Sequence, residues 1–197
     1  MNLDDAVAAL ANGMPVILPT DTVYGVAVDP GRPGATARLF AVKERPTDVP
    51  LPVLVADAEQ AFSLVADVPP LAARLAEACW PGGLTIVLPR RPGLGWDLGG
   101  PDDATIGVRV PDHEIPRRLA REVGPLATTS ANRHGRPTPE TAAEAAAELG
   151  DGVAVVVDGG RCTGAPSTVV IIDGAGLRVV REGRVSRAEL DRLSTAR

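Results

Sequence analysis

Five short segments hold side chains suited to binding or polarising a ligand. Pro19-Thr20-Asp21-Thr22-Val23-Tyr24-Gly25 follows an apolar run and sets three hydroxyls and one carboxylate in a single turn. Ligands of α/β proteins sit at strand ends, but a turn that only satisfies its own backbone fits these residues equally well. Lys43-Glu44-Arg45-Pro46 closes a predicted helix and carries two cations into a loop stiffened by Pro46, Pro50 and Pro52. Cations there either complement the helix dipole or, with the loop restrained, face a phosphate. Thr105, Gly107 and Arg109 share one face of a predicted strand by the two-residue period. That face is either a solvated edge or a floor on which Gly107 lets a ligand approach the backbone.

Thr128-Thr129-Ser130-Ala131-Asn132 puts small polar side chains where the chain leaves another predicted strand. No GxSxG elbow is present and only His113 and His134 are available as bases, so Ser130 reads as a binder rather than a nucleophile. The run from Gly159 to Thr168, which contains Ser167, reads as a flexible loop able to close over a ligand, with Arg181 on the neighbouring strand. Neither a GxxxxGK[ST] loop nor a GxGxxG fingerprint occurs, so the common phosphate motifs carry no inference. Two histidines and two cysteines far apart do not make a protein-held zinc site.

The elements that must position these residues alternate. Strands are predicted over 15–19, 51–56, 84–88, 105–110, 125–129, 153–158, 168–173 and 177–181, with helices opening at Pro69-Pro70, Asp112 and Thr138-Pro139. The spacing of Ser186 and Glu189 marks a last helix running towards Leu193, with a fraying tail beyond. Such alternation means α/β layering. Gly174-Ala175-Gly176 between the last two strands predicts a hairpin, so the sheet is mixed. The 19 prolines and 21 glycines are spread along the chain rather than gathered into a linker, which leaves one domain, residues 1–197.

Composition narrows the partners. With 45% hydrophobic and 23% charged residues the chain is globular, and at 3% aromatic it has few platforms for stacking single-stranded bases. A net charge of -5 opposes long-range attraction to nucleic acid but allows a local basic cleft. Cys79 and Cys162 form no CxxC pair and read as reduced thiols in a cytoplasmic protein. No apolar run approaches the ~20 residues needed to cross a membrane.

Taken in order, PTDTVYG, KERP with VPLPVLV, WPGGLTIVL, TIGVRVPDH, TSAN, STVV and VREG resemble the YrdC-like threonylcarbamoyl-adenylate synthase family over nearly the whole chain. The resemblance implies a twisted sheet flanked by helices around a concave basic cleft. It also implies that L-threonine, bicarbonate and ATP are joined into threonylcarbamoyl-AMP, with pyrophosphate released, for a transferase complex that modifies tRNA. Carried over by position, Thr20, Arg109 and Ser167 meet threonine. Lys43, Arg45, Thr105, Ser130, Asn132 and Arg181 meet ATP, with Lys43 and Arg45 nearest the reaction. Mg2+ arrives with ATP and no metal is held by the protein. The alternative is a double-stranded RNA or tRNA-binding module of the same fold, and any tRNA contact is expected to be weak. Many relatives carry Asn and His where this chain has Val49 and Leu54, so side-chain contacts made there are lost or replaced.

Overall fold

The protein is described by a computed structural model covering residues 3–174 and 176–195. In chain order it contains α1 (Leu3–Ala11), β1 (Val16–Leu18), β2 (Gly25–Val28), α2 (Ala35–Lys43), β3 (Val53–Leu54), α3 (Ala58–Phe62), α4 (Pro70–Cys79), β4 (Leu84–Pro89) and β5 (Thr105–Arg109). It continues through α5 (Glu114–Val123), β6 (Leu126–Ser130), α6 (Ala142–Leu149), a 3-10 turn (Gly150–Gly152), β7 (Val155–Val156), β8 (Thr168–Asp173), β9 (Gly176–Arg181) and α7 (Arg187–Thr195). The nine strands form one sheet in the order β7-β1-β2-β6-β3-β5-β4-β8-β9. It is mixed, as predicted: β1 with β7, β3 with β5 and β4 with β8 run parallel, and the other neighbours run antiparallel.

Side-chain alternation divides this sheet into two unlike faces. On one, Ile17, Val26, Val53, Leu84, Ile86, Ile106 and Val108 build a continuous core with the apolar sides of α2, α3, α4, α6 and α7. On the other, Leu18, Ala27, Leu54 and Leu126 pack against Ala6 and Leu10 of α1 and Leu119 and Ala120 of α5. Those two helices cover only the β7-to-β3 half. The remaining half, β5, β4, β8 and β9, carries a cavity instead of a helix.

Local signals set most element ends. α6 has its N-cap at Thr141, three residues after the predicted opening at Thr138, because Thr141 and Glu144 form the capping box: the Thr141 hydroxyl accepts from the Glu144 N–H, and the Glu144 carboxylate accepts from the Thr141 N–H. α5 is capped by His113, whose Nδ1 accepts from the Ile115 N–H at 3.2 Å. At α7 the Ser186 hydroxyl accepts from the Glu189 N–H at 3.3 Å, as its spacing predicts. β8 and β9 pair antiparallel. Ala175, on which the predicted hairpin connection falls, and residues 196–197 lie outside the described residues. Three elements are absent from the sequence-based prediction: α1, β2 and the five-residue α3.

Candidate functional site

The cavity has a volume of about 560 Å3, the size that holds a small-molecule ligand. Its floor is the open half of the sheet, where Thr85 and Val87 of β4, Gly107 of β5, and Val169 and Ile171 of β8 point away from the opposite core. Arg45, Arg109 and Arg181 line it, and among the described residues no Asp or Glu does. A chain of net charge -5 thus concentrates three fixed cations around one hollow. Field lines focus in such a cleft, which therefore attracts anions.

Arg109 is 6% exposed and held on three sides. Its Nε donates to the Gly82 carbonyl at 2.9 Å, Nη1 to the Thr22 hydroxyl at 3.0 Å and Nη2 to Asp21 Oδ1 at 2.5 Å. These contacts use three of the five guanidinium N–H groups and leave one on each terminal nitrogen free to donate to a carboxylate. Burial pushes its pKa down, and the Asp21 carboxylate opposes that shift. Asp21 lies behind the cavity wall, where Oδ1 also accepts from the Asp112 N–H at 3.1 Å. The Thr20 hydroxyl accepts from the Thr22 and Val23 N–H groups and donates to the Val23 carbonyl at 2.7 Å. Both readings of the first turn therefore apply to one segment: Thr20 organises the backbone and also lines the cavity.

Arg181 and Ser167 form a second grip at the mouth. The guanidinium donates to the Ser167 carbonyl at 2.8 Å and to its hydroxyl at 3.1 Å. That hydroxyl also accepts from the Thr85 hydroxyl at 3.0 Å, so its own proton is left for a ligand acceptor. Across the cavity, Arg45 Nη2 donates to the Val49 carbonyl at 3.3 Å, and its buried Nε has no partner among the described residues. Burial lowers the Arg45 pKa; Asp48 raises it and the like charge of Arg181 lowers it further. An orphaned donor between like charges is the environment an anion relieves. Thr105 and Ser130 also line the hollow.

Lys43 and Asn132 do not line it. Lys43 is 1% exposed, and its Nζ donates to the main-chain carbonyls of Ser130 and Asn132. Burial, followed by the charge of Arg45, lowers its pKa to about 8. Asn132 turns its amide N–H groups onto the Arg133 carbonyl at 2.9 Å and the Arg136 carbonyl at 2.7 Å, while its Oδ1 is buried without a partner among the described residues. Both side chains shape the turn that presents Ser130.

The 159–168 segment, predicted as flexible, is tied at several points. Tyr24 donates to the Gly160 carbonyl at 2.7 Å, the Cys162 thiol donates to the Thr20 carbonyl at 3.3 Å, and the Gly164 N–H donates to the Thr22 carbonyl at 2.9 Å. A Cβ at Gly164 would lie 2.8 Å from that same carbonyl, so only glycine allows this approach. Burial raises the pKa of both Cys79 and Cys162, which keeps them as thiols.

Asp21, Thr22, Thr85 and Thr128 belong to the site or its support but are missing from the residues assigned by sequence. Asp21, Thr22 and Thr128 lie in segments singled out by sequence without a role of their own, and the signal at Thr85 is its alternation with the buried Leu84 and Ile86. Val49, 49% exposed, stands at the mouth, and Leu54 lies on the wall as the register partner of Arg109. Among the described residues no group of three or more His, Cys, Asp or Glu is placed to hold a metal. A lining without carboxylates does not suit a resident Mg2+, which takes oxygen ligands and waters.

Comparison with known proteins gives a consistent neighbourhood. A family model for Sua5, YciO and YrdC proteins, described as "Telomere recombination", matches residues 8–183. A Mycobacterium tuberculosis relative is 43% identical over 182 residues, covering 92% of this chain and 83% of its own length. A Vibrio cholerae relative named threonylcarbamoyl-AMP synthase is 36% identical over 186 residues, covering 92% of this chain and 97% of its own. Among solved structures, P. abyssi Sua5 complexed with L-threonine superposes with a TM-score of 0.92 at 33% identity, covering 98% of this chain. This chain spans 57% of that one. No helix among the described residues is long and apolar enough to cross a membrane.

Proposed function

This chain belongs to the Sua5/YciO/YrdC family, and from that premise we propose that it joins L-threonine, bicarbonate and ATP into threonylcarbamoyl-AMP with release of pyrophosphate. The observation that carries the reading is a cavity lined by three guanidinium groups and hydroxyls, with no carboxylate. In this reaction the threonine nitrogen takes up the bicarbonate carbon with loss of water. A carbamate oxygen then attacks the α-phosphate, and pyrophosphate leaves. Two anions must meet, and fixed cations lower the cost of that encounter.

Arg109 receives the threonine carboxylate on its two remaining N–H groups, and Thr20 and Ser167 complete that end. Arg45 and Arg181 hold the polyphosphate, with Thr105 and Ser130 as hydrogen-bonding partners of the nucleotide. Lys43 enters as a charge behind the Ser130–Asn132 turn, and Asn132 as a brace of that turn. Mg2+ comes with the substrate as MgATP, coordinated by phosphate oxygens rather than by this chain. The proposal extends to one domain over residues 1–197, a cytoplasmic setting, a downstream transferase complex acting on tRNA, and weak tRNA contact.

Pyrophosphate release measured with each substrate omitted in turn tests it. Release should require ATP, threonine and bicarbonate together. Formation of ADP, or release that ignores threonine, would overturn the proposal. Tight tRNA binding that survives high salt would favour the RNA-module reading instead.

A further inference from the structure

The two ends of the cavity differ in their net charge, and one residue behind the wall accounts for the difference. At the Arg45 and Arg181 end the carboxylate that acts on Arg45 is that of Asp48, an exposed loop residue where solvent screens it. At the other end Arg109 is paired at 2.5 Å with Asp21, whose side chain is 9% exposed and therefore little screened. Asp112 and Glu114 lie on the same side, since their charges and that of Asp21 all act on His113. The positive charges that reach Arg109 from elsewhere are Arg181 and Arg184, and Arg184 is exposed. Arg45 and Arg181 thus face the cavity with no carboxylate among the described lining residues, whereas Arg109 is paired charge for charge with a buried one and still offers two N–H groups.

We propose that Asp21 is a specificity-determining residue: by neutralising Arg109 without occupying its remaining N–H groups, it suits that end to a zwitterionic amino acid and rejects multiply charged anions. This rests on the reading that threonine binds at Arg109. A zwitterion brings no net charge, so a neutral guanidinium–carboxylate pair accepts it without a Coulomb penalty. A phosphate or pyrophosphate group meets the Asp21 charge and is repelled towards Arg45 and Arg181. The two substrates, both of which carry groups a guanidinium can bind, are sorted by charge rather than by shape alone.

Asp21→Asn tests this, because the amide keeps an oxygen for Arg109 Nη2 and for the Asp112 N–H while removing the charge. The measurement is inhibition by inorganic sulfate against threonine, at saturating MgATP and with ionic strength held constant by KCl. Removing one poorly screened charge several ångströms from a dianion should lower the sulfate inhibition constant by about tenfold. The threonine KM should change by less than about threefold, because the ligand is net neutral. An unchanged sulfate constant overturns the inference, and so does a tenfold rise in threonine KM without stronger sulfate inhibition, which would mean that Asp21 only holds Arg109 in place. If Asp21→Asn folds poorly, Asp21→Ser with the same readout replaces it and carries the same two outcomes. Wild-type pyrophosphate release that does not depend on threonine would sink the underlying function instead, so the two failures are distinguishable.

Discussion

One face of the sheet behaves as two surfaces. Under α1 and α5 it presents Leu18, Ala27, Leu54 and Leu126, all buried. Beyond Leu54 the same face presents Arg109, Gly107, Thr85, Val87 and Ile171 to the cavity. The strand geometry is shared, and the difference is whether a helix lies above and whether the upward residues are large and apolar. A site arises here by leaving half of a sheet face uncovered and filling it with small, hydroxylated and cationic side chains. The opposite face, continuous under α2, α3, α4, α6 and α7, keeps the strands in register while this half stays open.

If that division is right, the covered half should respond in stability and the open half in binding. Leu119, fully buried on the sheet-facing side of α5, gives the largest expected effect: Leu119→Ala should cost about 2–5 kcal/mol in a denaturant titration, with threonine and ATP affinities little changed. Strong loss of threonine affinity in the folded variant would break the division. Lys43 lies between the two regimes. Its pKa falls from 10.5 in the unfolded chain to about 8 in the fold, so between those values the unfolded chain holds more protons. Stability should therefore rise with pH from about 8 to 10.5, by up to about 3 kcal/mol relative to Lys43→Met, which has nothing to titrate. Parallel pH curves for the two proteins would contradict the burial of its charge.

Arg109→Lys keeps the charge and loses the fork. Threonine affinity should fall by about 1.5–3 kcal/mol in direct titration, with ATP affinity changing much less. Equal weakening of both ligands together with a lower melting temperature would make Arg109 a structural residue. The smallest expected effect is at Gly107. A Cβ there meets nothing closer than 3.4 Å, so Gly107→Ala should leave the melting temperature equal or higher. The added side chain should nonetheless occupy the floor and weaken ATP binding by about 1–2 kcal/mol. Unchanged ATP binding would mean that the nucleotide does not lie over this part of the sheet.

The readability of these features from sequence follows their range. β4, β5, β8 and β9 have period-two patterns and turn residues beside them, so the open half of the sheet was legible. β2 was not, because its four residues are all buried and follow directly on a turn rich in polar groups, leaving no alternation to detect. α3 is only five residues long, too short for a helical period to register. In the site, the strand face bearing Thr105, Gly107 and Arg109 was legible from spacing alone. The Asp21–Arg109 pair was not, since its members are 88 positions apart and each reads locally as part of another motif. Lys43 failed to read as buried for a related reason: the carbonyls that satisfy its ammonium come from a turn 87 and 89 residues away.

The parallel pairing of β4 with β8 sets the order in which the hollow can come into being during synthesis. Leu84 pairs with Thr168, and Arg181 follows later still. At ordinary elongation rates of about 5–20 residues per second, β4 waits roughly 4–17 s for the strand that completes its edge. During that interval Thr85 and Val87 belong to an unfinished edge, and Arg45 and Arg109 have been made without Arg181. The anion grip is therefore a late event in the life of each new chain, and a ribosome that stops before residue 168 leaves a β4 edge rather than a weak enzyme.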